Sequence, residues 1–221
     1  MDWGIWTTLG VGLLLGLRHA LDPDHFIAVS TIASRTGNVL KATASGIYWG
    51  LGHTCTLLLI GLPLLAMKTA LPDSIQLVME IAVGCMLVTL GWTSFHAFRR
   101  GEMRRPSAET GDENPGEQRV GYRLRSFLVG MVHGMAGTGA MVVMVMASLR
   151  SLSDAFLYLL VFGVGTVAGM SLFAVLIGFP FTYASKHSVS IERGMGMTAG
   201  VVSILFGFYY IQGTLFHDGF F

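Results

Sequence analysis

The chain has 221 residues, 52% hydrophobic and only 12% charged, with a formal net charge of +1. A soluble domain carries about 25% charged residues, and a mean hydropathy of +0.63 belongs with membrane proteins. The balance gives no basic surface for nucleic acid, and the length leaves no room for a soluble catalytic domain beside the apolar segments, so the chain is read as a non-enzyme.

A helix needs about 20 apolar residues to cross a hydrocarbon layer about 30 Å thick. On that rule the sequence predicts an all-α integral membrane protein of six transmembrane helices, over 3–19, 43–67, 75–98, 124–149, 155–183 and 195–215. The opening Met1-Asp2-Trp3 lacks the basic region of a cleavable signal peptide, so the first segment is expected to stay as a span. Cys55 and Cys85 lie in apolar runs and make neither a disulfide framework nor a C-x-x-C motif.

The stretch from Arg99 to Arg125 is different in kind. It holds Glu102, Glu109, Asp112, Glu113 and Glu117 beside seven arginines, with Pro106, Gly111, Pro115 and Gly116, and reads as a hydrophilic loop. Cytoplasmic loops are rich in Lys and Arg. Setting this one in the cytoplasm brings Arg18, Arg35, Lys41, Lys186 and Arg193 to the same side, twelve of the fourteen cations, and leaves Lys68 and Arg150 outside. The expected protein is multi-pass in the cytoplasmic membrane, in contact with the lipid bilayer, with both termini non-cytoplasmic.

The halves share a pattern. Gly16-x-x-His19 and Gly130-x-x-His133 lie 114 apart, Gly50-x-Gly52 and Gly163-x-Gly165 lie 113 apart, and the pairs Gly84 with Gly91 and Gly200 with Gly207 lie 116 apart. Residues 1–98 are therefore read as a first three-helix repeat, 99–123 as a hydrophilic cytoplasmic loop and 124–221 as a second three-helix repeat. An odd number of spans per half makes the repeats inverted, as in many secondary transporters.

The chemistry concentrates in Arg18-His19-Ala20-Leu21-Asp22-Pro23-Asp24-His25. Ionisable groups in a span line a pathway or pair with one another. Pro23 breaks the helix, which lets His19, Asp22, Asp24 and His25 converge as a straight helix would not. Imidazoles with a few carboxylates suit nickel, cobalt, copper or zinc better than calcium or magnesium. The bland alternative is an interfacial cap in which these side chains satisfy loop backbone. His53, in Gly52-His53-Thr54, is either a further ligand or a hydrogen bond between helices, and His133 occupies the repeat position of His19 before a glycine-rich stretch. His96, His187 and His217 are expected in solvent, and the thirteen methionines, Met141, Met144 and Met146 among them, as packing.

The segment from Arg18 to His25 resembles the R-H-A-x-D-x-D-H signature of the nickel/cobalt transporter family, with His19, Asp24 and His25 as its H-x4-D-H core. Gly52-His53-Thr54 is similar to that family's second signature. His133-Gly134-Met135-Ala136-Gly137 and Gly169-Met170-Ser171 resemble the six-span branch of urease-accessory membrane proteins; the acidic second-half segment of the longer permeases has no match here. The resemblance implies a permease for nickel or cobalt, which are transported substrates with no prosthetic group, bound by metal ligands drawn from His19, Asp22, Asp24, His25, His53 and His133. It implies supply to a nickel enzyme such as urease, with a metallochaperone or nickel-enzyme maturation protein as partner. Efflux members of the wider family often carry a histidine-rich loop, and 99–125 has no histidine, which favours uptake.

Two rivals remain. H-x4-D is also a glycerolipid acyltransferase motif, but the surface domain that chemistry needs is missing. A non-metal solute, an anion or a thiol-redox cargo, could ride the same architecture. Against it, both cysteines are in one half, and the spans after the first hold no central cation for an anion.

Overall fold

The computed structural model describes residues 3–101, 121–136 and 151–217. Most of the predicted hydrophilic loop (102–120) and the later part of the predicted fourth span (137–150), with Gly137, Met141, Met144, Met146 and Arg150, lie outside the described residues. Every described element is helical: α1 Trp3–His19, α2 Pro23–Ser34, α3 Val39–Thr56, a π-helical turn Leu57–Gly61, α4 Leu62–Met67, α5 Asp73–Arg100, α6 over 121–136, α7 Leu152–His187 and α8 Val189–His217. Among the described residues four helical stretches are long and apolar enough to cross a bilayer: Val39–Met67, Asp73–Arg100, Leu152–His187 and Val189–Phe216. α1 has 17 residues. Leu14, Leu59, Val78, Val164, Leu172, Phe179 and Leu205 are exposed, a surface suited to hydrocarbon and not to water.

Local signals set most boundaries. Asn38 caps α3 by accepting from the Leu40 and Lys41 amides at 2.8 and 3.3 Å. Gly37, just before it, has φ +54°, a left-handed conformation that residues with a Cβ rarely adopt. The π-helical turn runs up to Pro63, whose missing N–H and ring clash with the carbonyl four residues back forbid a regular α-helical bond there. α5 ends on Gly101 in the left-handed region, with Arg99 and Arg100 in its last turn.

The chain after His19 departs from the expected loop. The amides of Leu21 and Asp22 bond tightly back to the Arg18 and His19 carbonyls, at 2.8 and 3.1 Å. Asp22 is then extended at ψ 142°, as a residue before proline must be, and Pro23 opens α2. α2 buries His25, Ala28, Val29, Thr31, Ala33 and Ser34. It ends beside α5, where Ser34 meets Ser94 and Arg35 meets Thr93, at the end of the molecule where α3 begins. α1 lies parallel to α7 (Gly12 on Tyr158, Gly16 on Phe162, Ala20 on Gly169), and α3 is antiparallel to α7 (Gly46 on Met170, Thr54 on Gly163). α1 and α2 thus continue in one direction through the molecule, with a break after His19. Apolar runs mark only α1, because α2 is short and carries buried Ser, Thr and His.

Backbones meet at glycines, and the contacts recur at the repeat offsets. A Cβ on Gly52 would lie 2.0 Å from the Phe127 carbonyl oxygen, and one on Gly165 would lie 2.4 Å from that of Leu13. Gly130 is pressed on Trp49 in the way that Gly16 is pressed on Phe162, and Phe162 is 113 residues after Trp49. α5 and α8 run antiparallel through Gly84 against Gly207 and Gly91 against Gly200. Beneath these seams Ala28 and Val29 of α2 share a core with Trp49, Val83, Leu87 and Met170.

Candidate metal site

The site is built at the α1–α2 break. Asp22 and Pro23 end one helix and start the next, so His19 at the close of α1 and Asp24 and His25 in the first turn of α2 face the same space. α3 supplies His53, the fifteenth residue of the 29-residue stretch Val39–Met67 and so midway along it. α6, parallel to α3, supplies His133, and Gly134 lets it approach: a Cβ there would lie 2.7 Å from the His53 carbonyl oxygen.

Five side chains meet. His19 Nε2 and His53 Nε2 are 3.1 Å apart. His133 Nε2 is 3.1 Å from both His25 Nδ1 and Asp24 Oδ2. Asp24 Oδ1 accepts from the His25 amide at 2.9 Å and lies 3.0 Å from His25 Nδ1. Two overlapping triads result, His19–His25–His53 and Asp24–His25–His133, each with donor atoms within 4.8 Å of one another, and His25 belongs to both. Two ligands bound about 2.1 Å from one ion lie roughly 3 to 4 Å apart, so either triad could close on a metal with small side-chain shifts.

Burial sharpens this. The side chains of His25, His53 and His133 are buried, that of His19 is 22% exposed, and that of Asp22 is half exposed. The Nε2 of His25 and the Nδ1 atoms of His53 and His133 are buried with no hydrogen-bond partner among the described residues. Buried polar atoms are nearly always paired, so the orphaned Nε2 on the ring shared by both triads fits a site that takes up a cation, whereas His53 and His133 present Nε2 to the cluster and carry their orphaned Nδ1 on the other edge of the ring. Asp22 is outside both triads. It sits 2.8 Å from His19 Nδ1, which holds the ring with Nε2 toward the cluster, as carboxylates do behind metal-binding histidines.

Over 215 residues the chain is 33% identical to the urease accessory protein UreH of Bacillus sp. (strain TB-90), a match that spans 96% of this chain and 94% of that protein. The chain belongs to the UreH family of urease accessory proteins. Two chloroplast proteins of Arabidopsis thaliana, FOR GROWTH AND FERTILITY 2 and FOR GROWTH AND FERTILITY 1, are 26% and 27% identical to it. These matches cover 96% and 93% of this chain but 58% and 61% of the plant proteins. No protein-family model and no solved structure matches.

In this UreH-family chain sequence reasoning missed Trp49. Fully buried, it stacks parallel to His25 at 6.2 Å between ring centroids and edge-on to His133 at 5.4 Å. Its position four residues before His53, on the same helical face, was the available signal. Phe162 plays a similar part against His19 at 5.5 Å. The histidines set aside fall elsewhere: His96 is half-buried against Trp92, and His187 is exposed and stacked on Tyr183. For His217, at the end of α8, the side chain lies outside the described residues.

Proposed function

We propose that this chain carries a transition-metal ion, nickel or cobalt, across the cytoplasmic membrane, in the uptake direction, to supply a nickel enzyme such as urease. The observation that carries the reading is the pair of triads sharing His25 at the break between α1 and α2, with the Nε2 of that ring buried and unpaired among the described residues. The borderline donor set suits such ions, the break between α1 and α2 is of the kind that transporters use for binding, and kinship with a urease accessory protein adds a nickel context. His19, Asp24, His25, His53 and His133 are the proposed ligands, with Asp22 orienting His19. A metallochaperone or nickel-enzyme maturation protein is the proposed partner on the receiving side, and no covalent step is asked of the chain.

The proposed topology is six spans in two inverted three-helix halves. It draws on the recurrence of glycine contacts at offsets of 113 to 116 and on the gathering of Arg35, Lys41, Arg99, Arg100, Arg123, Arg125, Lys186 and Arg193 at helix ends on one side. That side is the cytoplasmic one by the positive-inside rule. A cysteine placed at Gly111, in a variant without Cys55 and Cys85, is expected to resist a membrane-impermeant maleimide in intact cells; rapid labelling would reverse the orientation.

The functional reading is tested by equilibrium nickel and cobalt binding to the purified protein, paired with accumulation of the metal by cells. His19→Ala is expected to abolish accumulation while the protein stays in the membrane. Full accumulation by the variant, or no binding of either metal by the parent protein, would remove the reading.

A further inference from the structure

Beyond the histidine cluster, toward the basic end, a cavity of about 220 Å³ opens between α2, α5 and α6, with Thr31, Ile32, Arg35, Tyr122, Arg125 and Val129 in its wall. It continues the two helix faces that carry the cluster. Ile32 is two turns beyond His25 on α2, and Val129 and Arg125 are one and two turns before His133 on α6. At about 30 Å³ per molecule it has room for several waters, or for one small polyatomic ion.

Its polar lining is one-sided. Arg35 and Arg125 line the same cavity, and among the described residues no carboxylate is within ion-pair distance of either. Among the described residues Arg35 reaches a hydroxyl, Thr93 Oγ1, at 3.4 Å. The cavity's hydroxyl groups already donate elsewhere: Thr31 to the Ile27 carbonyl at 2.9 Å, Tyr122 to that of Lys41 at 2.7 Å and Ser126 to Ser45 Oγ at 3.2 Å. What remains is two guanidinium forks, the donor geometry that matches a phosphate or carboxylate.

We propose that this vestibule is an oxyanion site, in which Arg35 and Arg125 together hold one small phosphate- or carboxylate-bearing ligand. The consequence for transport rests on the metal-carrier reading. Two guanidinium charges at the exposed mouth of this cavity repel a divalent ion leaving His133 and Asp24; a bound oxyanion neutralises them and offers oxygen ligands, so the vestibule receives the ion from the cluster.

The site is tested without metal, so its fate is separate from that of the carrier reading. The full chain in a phosphate-free maltoside detergent is titrated calorimetrically with inorganic phosphate and with citrate. Saturable binding of at least one is expected, about tenfold or more weaker for Arg35→Gln and for Arg125→Gln, and only partly recovered by the Lys variants, which keep charge but lose the fork. Thermal midpoint and gel filtration without ligand establish that each variant is folded. A second titration in nanodiscs containing phosphatidylglycerol separates the sources: weakened phosphate binding there makes a lipid headgroup the occupant, and unchanged binding makes it a soluble anion. No binding of either probe in detergent, or binding untouched in folded Gln variants, would overturn the proposal.

Discussion

Alanine at His25 is expected to weaken nickel binding by at least about 100-fold, the largest loss of any single substitution in the cluster. Removing a partner that merely orients a metal ligand costs 10- to 100-fold, and His25 is itself shared by both triads. Its ring also stands between those of His19 and His133, at centroid distances of 4.5 and 4.0 Å, so its loss separates the halves of the site. Asp22→Asn, which leaves every triad atom in place and weakens only the hold on His19 Nδ1, is expected to fall between 10- and 100-fold. His187→Ala, on the exposed end of α7, is expected to change nothing. Calorimetry on purified protein gives the ordering, and the visible spectrum of bound cobalt reports whether the remaining ligands rearrange. Equal affinities for His25→Ala and the parent protein would place the metal elsewhere.

How much of this was legible in the sequence depends on which physical signal each residue leaves. Hydropathy marks α3 through α5, α7 and α8 well, because a helix surrounded by lipid must be apolar over its whole length. It is blind to α2, a short helix with polar side chains buried against protein, and so it shows nothing of the helix that follows His19. Pro23 did reveal the break, since its effect is local and covalent. The convergence of His19, Asp24 and His25 was readable for the same reason, being short-range in the chain. The approach of His53 and His133 depends on the packing of α3 against α6, which a sequence encodes only through small residues such as Gly52, Gly130 and Gly134. Those glycines were visible, but their partners were not. Trp49 was passed over because an aromatic in an apolar helix gives no sign of whether it faces lipid or a polar centre.

The packing that places His53 yields the other large effect. Gly52→Ala is expected to destabilise the protein by about 1 to 3 kcal/mol, the range for forcing atoms into a closed interior, and to weaken nickel binding about tenfold or more although it alters no ligand. The added Cβ would lie 2.0 Å from the Phe127 carbonyl oxygen and 3.0 Å from the Met131 amide nitrogen, both main-chain atoms that no rotamer change can move aside. α3 and α6 must therefore separate. His53, the next residue, moves with one helix and His133 with the other, and a site loosened by about 1 Å loses its geometry. Gly165→Ala tests the same contact in the other half, where the Cβ would meet the Leu13 carbonyl oxygen at 2.4 Å and displace α1, with His19, from α7. Gly10→Ala is the control, since among the described residues nothing lies within 4 Å of its Cβ; no loss of stability or binding is expected. Thermal midpoints and nickel isotherms of the three variants decide it. If Gly52→Ala keeps both at the level of Gly10→Ala, the α3–α6 seam is not what sets the distance between His53 and His133.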